Sequence, residues 1–161
     1  MYLNHPKVPQ RMRQYNPEMK IIAVLRNPVD RLISAWNMYR SKGQTHLDFN
    51  AWCEANPKTL VSGFYAPNIE LWQSHFPDSS SILWIRYDDL RTQPRAVLHS
   101  IHKHLGLSSP SAKEPPKKNV HPYTSKVTSQ NRLDLLSFYE EDIKQVEQLL
   151  GWDLSEWNQV D

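Results

Sequence analysis

The stretch Lys20–Ser34, KIIAVLRNPVDRLIS, decides which fold this sequence predicts. Its five consecutive apolar residues, Ile21–Leu25, are typical of a strand that is buried on both faces, as in a parallel sheet. Asn27 and Pro28 then indicate a helix start, because an Asn side chain caps the free N–H groups of the first turn and proline has no N–H to leave unpaired there. The stretch therefore predicts a buried strand that leads directly into a helix.

The junction between this strand and this helix is chemically suited to an anion. Free backbone N–H groups and the positive end of the helix dipole point towards one spot, and phosphate binds at such spots. Arg26 ends the strand with a planar fork of donors, and Ser34 adds a hydroxyl group two turns into the helix. The residues alone leave a second interpretation open, in which Arg26 pairs with Asp30 or another carboxylate and the Asn-Pro pair is only a helix start.

Length and composition place the chain among ordinary globular proteins. Its 161 residues fit one domain, and 39% hydrophobic residues with six Trp can form a core. A formal net charge of +2 gives no argument for nucleic acid as a partner. Cys53 is the only cysteine, which excludes an internal disulfide. Without a basic neighbour to lower its pKa, we expect it to be a small buried residue rather than a nucleophile.

The sequence indicates neither a membrane protein nor a metal-binding protein. No window reaches the roughly 18 apolar residues of a membrane span, and the N-terminus lacks the apolar core of a signal peptide, so we expect a soluble chain without a membrane segment. His99, His102 and His104 lie on one predicted helix but do not converge on one face of it. We therefore predict no metal site.

Apolar periodicity predicts the remaining elements. Further helices are expected at Val8–Tyr15, from about Pro67 to Phe76, at Arg95–Leu105 and at Ser129–Leu150, with a second strand at Ile82–Arg86. The last helix is expected to bury Leu133, Leu136, Tyr139, Ile143, Val146 and Leu150, with Glu140, Glu141, Asp142 and Glu147 on its outer side. Between the last two helices, residues 107–125 are predicted to form a proline-rich basic loop.

The string Arg26–Ser34, R-N-P-x-x-R-x-x-S preceded by Lys20, resembles the 3′-phosphate-binding motif of sulfotransferases that use 3′-phosphoadenosine 5′-phosphosulfate (PAPS). The similarity is greatest to the heparan-sulfate-type and bacterial branch of that family. Tyr2–Tyr15, YLNHPKVPQRMRQY, is similar to the segment before this motif, and Gly63–Leu90 is similar to the helix and strand after it. The resemblance covers most of the chain.

The resemblance implies cofactor-binding residues. By their positions in the motif, Arg26 and Ser34 are expected to hold the 3′-phosphate of PAPS. Lys117 and Lys118 fall in a basic loop that closes over the same end of the nucleotide in this family, although Asn119 stands where the family pattern has Arg. A solvated basic loop is the alternative for these two lysines.

Three further features of the resembled family concern other parts of the sequence. Arg31 and Tyr65 are weaker candidates for the site, with core packing favoured for Tyr65. The segment containing Asp88 and Asp89 resembles a catalytic pair, but in this family it is chiefly structural and caps the following helix. No metal is implied, because side chains and backbone amides carry the charge of the phosphosulfate.

The resemblance also implies the fold class: α/β, with a P-loop-NTPase-like parallel sheet flanked by helices and a helix-rich C-terminal half, in a single partial domain over residues 1–161. The four glycines do not adjoin one another, so the sequence contains no glycine-rich phosphate loop. The first P-loop strand–helix unit, with its Lys and the catalytic base, is expected upstream of this chain. The incomplete sheet is expected to expose apolar strand faces.

Three explanations fit an incomplete sheet of this kind. The gene start is truncated or misassigned, a second chain or a missing N-terminal region completes the sheet, or a reduced domain binds something else.

The function expected from the resemblance is transfer of a sulfuryl group from PAPS to a hydroxyl or amine of an acceptor, a carbohydrate or other small molecule. The alternative is a non-catalytic, truncated module that binds a 3′-phosphonucleotide, an anionic glycan or a partner chain. A nucleotide kinase or other NTPase is more distant, because the sequence has no Walker Lys. A cytoplasmic location is expected from the bacterial relatives, or the Golgi lumen if an N-terminal anchor precedes the chain.

Overall fold

The structure, a computed structural model, describes residues 3–108 and 127–159. Lys117, Lys118 and the predicted loop from residue 109 onwards lie outside the described residues. The elements are α1 (Val8–Tyr15), β1 (Ile21–Leu25), α2 (Pro28–Ser41), α3 (Phe49–Ala55), α4 (Pro57–Val61), α5 (Ala66–His75), β2 (Ile82–Arg86), α6 (Tyr87–Thr92), α7 (Pro94–His104), α8 (Ser129–Leu150) and a final 3-10 helix (Ser155–Asn158). The predicted strands and long helices are confirmed, whereas α4, α6 and the final 3-10 helix were not predicted.

The two strands form a parallel sheet, which confirms the predicted α/β fold. Their register runs from Ile21 opposite Ile82 to Leu25 opposite Arg86. Within the described residues this sheet has two strands. Parallel strands need a crossover connection, and here α2 to α5 supply it.

The expectation that β1 is buried on both faces is wrong. Ile21 and Leu25 are buried, but Ile22 and Val24 are 38% and 41% exposed. Successive side chains of a strand point to opposite faces, and the buried cluster that contains Ile21 covers only one of them. The exposed pair agrees with the expected uncovered apolar strand face in β1, whereas Ile82 and Ile85 of β2 are buried.

The chain divides into two compact units, and each is described by itself. The first unit comprises Met1–Arg26 and Asn68–Val120, and the second comprises Asn27–Pro67 and His121–Asp161. The interpretation of residues 1–161 as one partial domain stays a prediction.

The core of the first unit lies on one side of the sheet. Ile21 and Ile82 from the strands pack with Trp72 of α5 and with Phe76, the residue that follows this helix. Partly buried residues that flank this cluster are Leu3, Val8, Met12, Met19 and Trp84. The indole N–H of Trp72 donates to the carbonyl oxygen of Leu3 at 3.0 Å, so the aromatic ring also holds the segment before α1.

The second unit is built around α2 and α8, which pack on each other. Its buried apolar side chains are Val29, Leu32, Ile33, Trp36, Phe49, Trp52, Tyr65, Ala66, Leu135, Tyr139, Ile143, Val146, Leu154 and Trp157. Gly151 ends α8 in the left-handed conformation, with φ of +64°. The backbone N–H of Leu154 then donates to the carboxylate of Glu147 at 2.7 Å, which turns the tail back along the helix.

The predicted buried face of α8 needs two corrections. Leu133 is 49% exposed and Leu135 is buried instead, so the buried apolar stripe begins on a different side of the second turn. Asp142, expected on the outer side, is only 6% exposed. Residues 135, 139, 142, 143 and 146 share one helix face, and Asp142 is tolerated there because its carboxylate has hydrogen-bond partners.

Candidate functional site

Asn27 fixes the start of α2, as the sequence predicted. Its side-chain oxygen accepts hydrogen bonds from the backbone N–H groups of Val29 at 2.9 Å and Asp30 at 3.4 Å. Its side-chain nitrogen donates to the carbonyl oxygen of Trp157 at 2.9 Å. The Asn of the motif therefore caps the helix and also anchors the C-terminal tail of the second unit.

Arg26 belongs to the first unit, directly after β1. Its guanidinium carbon lies 4.7 Å from the centre of the Tyr87 ring, a cation–π contact. Tyr87 is the residue that follows β2, so the two side chains extend the pairing that ends with Leu25 opposite Arg86. The ring restricts the orientation of the guanidinium.

The first turn of α6 is held against the end of β2 by a bidentate ion pair. The Arg86 guanidinium donates to both carboxylate oxygens of Asp89, at 2.8 and 2.9 Å. Asp88 lies 4.0 Å from Arg91 one turn further on. Both carboxylates therefore have cationic partners within the same segment. The helix cap expected from them is not seen, because neither α6 nor α7 has a side-chain cap hydrogen bond.

Ser34 belongs to the second unit and lies in the second turn of α2. It is half-buried, and among residues 3–108 and 127–159 its hydroxyl has no hydrogen-bond partner. Each of the two motif residues is thus placed within its own unit. Their joint contact with a phosphate stays a prediction.

Arg31, a weaker candidate, holds a neighbouring segment of the second unit. Its guanidinium donates to the carbonyl oxygen of Thr59 at 2.7 Å, and its buried Nε has no partner among the described residues. The Tyr139 hydroxyl donates to the next carbonyl oxygen, that of Leu60, at 2.7 Å. Burial raises the pKa of Tyr139, and the nearby positive charge of Arg31 opposes that rise. Arg31 therefore binds the backbone of α4 itself.

Tyr65, the other weaker candidate, is buried, in agreement with core packing. The segment that carries it is held by Asp142, whose two carboxylate oxygens accept from the backbone N–H groups of Tyr65 at 2.8 Å and Ala66 at 2.9 Å. Burial raises the pKa of Asp142, while the two N–H donors work in the opposite direction. Sequence reasoning missed this residue, and its position on the apolar face of α8 is the signal that could have revealed it.

The sequence left Asp30 open as an alternative partner for Arg26. In the structure, a residue of α8 binds it instead. The Arg132 guanidinium donates to its carboxylate at 3.1 Å. Both side chains are partly exposed, at 24% for Arg132 and 37% for Asp30. This ion pair connects the first turns of α2 and α8 within the second unit.

Metal and thiol chemistry find no support in the part of the chain that the structure describes. No group of three His, Cys, Asp or Glu side chains there could hold a metal ion. His102 and His104 are half-buried rather than fully solvated, and burial lowers the pKa of His104. Cys53 is half-buried rather than buried as expected. Partial burial, with a smaller contribution from Glu54, raises the pKa of its thiol to about 11, as expected of an unreactive thiol. None of the described helices is both long enough and apolar enough to span a membrane.

The parallel sheet and the Asn-capped helix after β1 define a parallel α/β protein of the kind that binds anionic ligands at strand ends. Residues 3–151 match the model of the sulfotransferase domain family, and the chain belongs to that family. The resemblance predicted from the sequence is therefore confirmed.

Individual relatives agree with this assignment. The human bifunctional heparan sulfate N-deacetylase/N-sulfotransferase 2 is 31% identical over 121 residues, which cover 66% of this chain and 14% of that protein. The mouse bifunctional heparan sulfate N-deacetylase/N-sulfotransferase 4 is 32% identical over 121 residues, which again cover 66% of this chain and 14% of that protein. The crystal structure of a sulfotransferase from Alicyclobacillus acidocaldarius has the same fold, with a TM-score of 0.83 at 24% identity, and the match covers 98% of this chain and 65% of that one. This chain is thus much shorter than its relatives.

Proposed function

We propose that this chain forms the 3′-phosphate-binding part of a PAPS-dependent sulfotransferase whose acceptor is a carbohydrate. Arg26 and Ser34 bind the 3′-phosphate, and Lys117 and Lys118 add positive charge at the same end of the nucleotide. Membership of the sulfotransferase domain family supports the reaction class, and the names of the heparan sulfate N-sulfotransferases support a glycan acceptor.

The observation that carries the proposal is the braced guanidinium of Arg26 at the end of β1. An Arg stacked on an aromatic ring has fewer rotamers to lose when it binds an anion. Tyr87, which provides the ring, lies in the first turn of α6, between Arg86 and Asp89, whose ion pair spans that turn. The side chain is therefore organised before a ligand arrives.

In sulfuryl transfer, the acceptor oxygen or nitrogen forms a bond to the sulfur of PAPS. The bond between that sulfur and the 5′-phosphate oxygen breaks, the nucleotide leaves as 3′-phosphoadenosine 5′-phosphate, and a base takes the proton of the acceptor. The 3′-phosphate lies far from the reacting sulfur. Binding it contributes by holding the nucleotide in one orientation, and remote binding energy of this kind supports the chemical step.

Calorimetric titration with two nucleotides tests the site. 3′-Phosphoadenosine 5′-phosphate carries the 3′-phosphate and adenosine 5′-phosphate does not. We expect micromolar binding of the first, about −8 kcal/mol, and much weaker binding of the second. Arg26→Ala should weaken binding of the bisphosphate about 10- to 100-fold and Ser34→Ala about 3- to 10-fold, because hydrogen bonds to a charged group are strong.

Arg91→Ala is the matched control, since Arg91 lies on α6 in the first unit with a side chain that is 66% exposed. It should leave both affinities unchanged. Equal affinity for the two nucleotides, or no effect of Arg26→Ala, would refute the proposal. The double variant Lys117→Ala/Lys118→Ala tests the two loop lysines in the same titration, with about tenfold weaker binding expected.

Turnover is tested separately with PAPS and a de-N-sulfated heparan oligosaccharide. Release of 3′-phosphoadenosine 5′-phosphate with sulfation of the sugar supports the enzyme. Nucleotide binding without sulfation would favour the non-catalytic module.

A further inference from the structure

Asp30 and Ser34 lie four residues apart on α2. Side chains with this spacing are neighbours on one helix face, with about 6 Å between their Cβ atoms. The proposed phosphate ligand Ser34 therefore has a carboxylate one turn below it. A bare carboxylate at this distance would repel a doubly charged phosphate.

Arg132 is the cation that meets this carboxylate. Its Nη1 lies 3.1 Å from Oδ1 of Asp30. Arg31, the nearest basic residue to Asp30 in sequence, donates instead to the carbonyl oxygen of Thr59. Among the residues that the structure describes, no other ion pair of Asp30 is present, so its neutralisation depends on a residue from α8.

We infer that Arg132 is a positioning residue of the phosphate site: it neutralises and holds Asp30, so that the face of α2 that carries Ser34 accepts the 3′-phosphate. The inference rests on the proposed function. It adds a determinant that lies outside the Arg26–Ser34 motif and 102 residues from Asp30 in sequence. Arg132 acts on the ligand through Asp30 and not as a direct ligand.

The contribution of this pair to folding and its contribution to anion binding are expected to differ. A partly exposed ion pair changes protein stability little, because solvent screens it and ordering two side chains costs entropy. A phosphate near Ser34 carries two negative charges. Without the cation beside Asp30, both of these charges are repelled by the Asp30 carboxylate. Loss of Arg132 should therefore weaken phosphate binding with little loss of stability.

The test is calorimetric titration of the whole chain with 3′-phosphoadenosine 5′-phosphate, using four variants and their thermal unfolding midpoints. Arg132→Ala should weaken binding about tenfold, and Arg132→Lys should retain affinity within about threefold because the charge is kept. Asp30→Asn/Arg132→Ala should return to within about threefold of the unchanged protein, since no bare carboxylate is left. Asp30→Asn alone should bind as tightly as the unchanged protein or more tightly.

Two readouts separate this role from a merely structural one. Raising the salt concentration should reduce the effect of Arg132→Ala, because exposed charges are screened. Binding of adenosine 5′-phosphate should be the same in all four variants, because that nucleotide has no 3′-phosphate.

Each other outcome overturns part of the argument. If Arg132→Ala leaves affinity unchanged while Arg26→Ala weakens it, the inference is wrong and the proposed function stands. If the double variant stays as weak as Arg132→Ala, Arg132 does not act through Asp30 and the inference is again wrong. If the unchanged protein fails to bind the bisphosphate, the proposed function and the inference fall together.

Discussion

The side-chain nitrogen of Asn27 donates a hydrogen bond to the carbonyl oxygen of Trp157 at 2.9 Å, across 130 residues of sequence. The same amide group caps α2 through its oxygen. One side chain thus ties the start of the motif helix to the tail after α8. The start of α2 and the packing of the tail in the second unit are therefore linked through a single residue.

Two substitutions of Asn27 separate these contacts. Asn27→Ala removes both and should destabilise the protein by about 2 kcal/mol, from the lost cap and the lost hydrogen bond. Asn27→Asp keeps an acceptor for the N–H groups of α2 but no longer donates to Trp157, and it should cost about 1 kcal/mol. Urea unfolding measures both. Asn158→Asp makes the same exchange on an exposed residue of the tail and should be neutral; wild-type stability of Asn27→Asp would show that the tail contact contributes nothing.

Gly63 should not tolerate a side chain. A Cβ atom added there would lie 2.8 Å from three atoms of the buried Tyr139 side chain. We expect Gly63→Ala to destabilise the protein by about 2 kcal/mol through overpacking, as measured by thermal unfolding. The cost should shrink when Tyr139→Leu is combined with it, because the two residues are in contact.

Gly43→Ala is the comparison for Gly63. Nothing lies within 4 Å of an added Cβ at this position, but its φ of +67° suits glycine. Gly43→Ala should therefore lower protein stability by about 1 kcal/mol through backbone strain. This loss should be unchanged by Tyr139→Leu. If the stability losses of Gly63→Ala and Tyr139→Leu simply add in the double variant, the contact between Gly63 and Tyr139 is contradicted.

Asp142 should make stability depend on pH. Burial raises the pKa of its carboxyl above the ordinary value of 3.8. A group whose pKa is higher in the folded protein stabilises it most below the unfolded pKa, and this contribution is lost as pH rises through the folded pKa. Relative to Asp142→Asn, which does not titrate, the protein should therefore lose stability as pH rises from about 4 towards neutrality. The stability difference between the protein and Asp142→Asn could instead stay constant or change in the opposite direction as pH rises. Either result would show that the N–H groups of Tyr65 and Ala66 outweigh the effect of burial on the pKa of Asp142.

Cys53 should be unreactive in the folded protein. Its thiol has a pKa of about 11, so little thiolate is present at pH 8. We expect slow reaction with Ellman's reagent in buffer and fast reaction in denaturant, measured by absorbance. Cys53→Ala gives the blank for the assay. Equally fast reaction in both conditions would mean that the thiol is neither shielded nor raised in pKa.

Local patterns sufficed for much of the fold. The apolar run before Arg26 predicted β1, and the Asn-Pro pair predicted the start of α2, because strand formation and helix capping depend on adjacent residues. The bounds of α1 and α8 were likewise predictable from periodicity. In the site, the motif pointed to Arg26 and Ser34.

Contacts between distant segments could not be predicted. The spacing of Asp142 places it on the apolar face of α8, but its partners at Tyr65 and Ala66 could not be predicted, because they lie 77 and 76 residues away. Arg132 has the same difficulty, since only the packing of α8 on α2 brings it to Asp30. The short helix α4 has too few residues for a period to be visible.

The discontinuous second unit has a consequence for synthesis. Its first part, Asn27–Pro67, is translated well before α8, although α2 packs against α8 and Asn27 binds Trp157. At usual elongation rates the ribosome needs about 5 to 20 s to move from Pro67 to Trp157. During that interval Trp36 and Trp52 are translated without the helix that completes their unit, so this part of the core stays unfinished until α8 has been made.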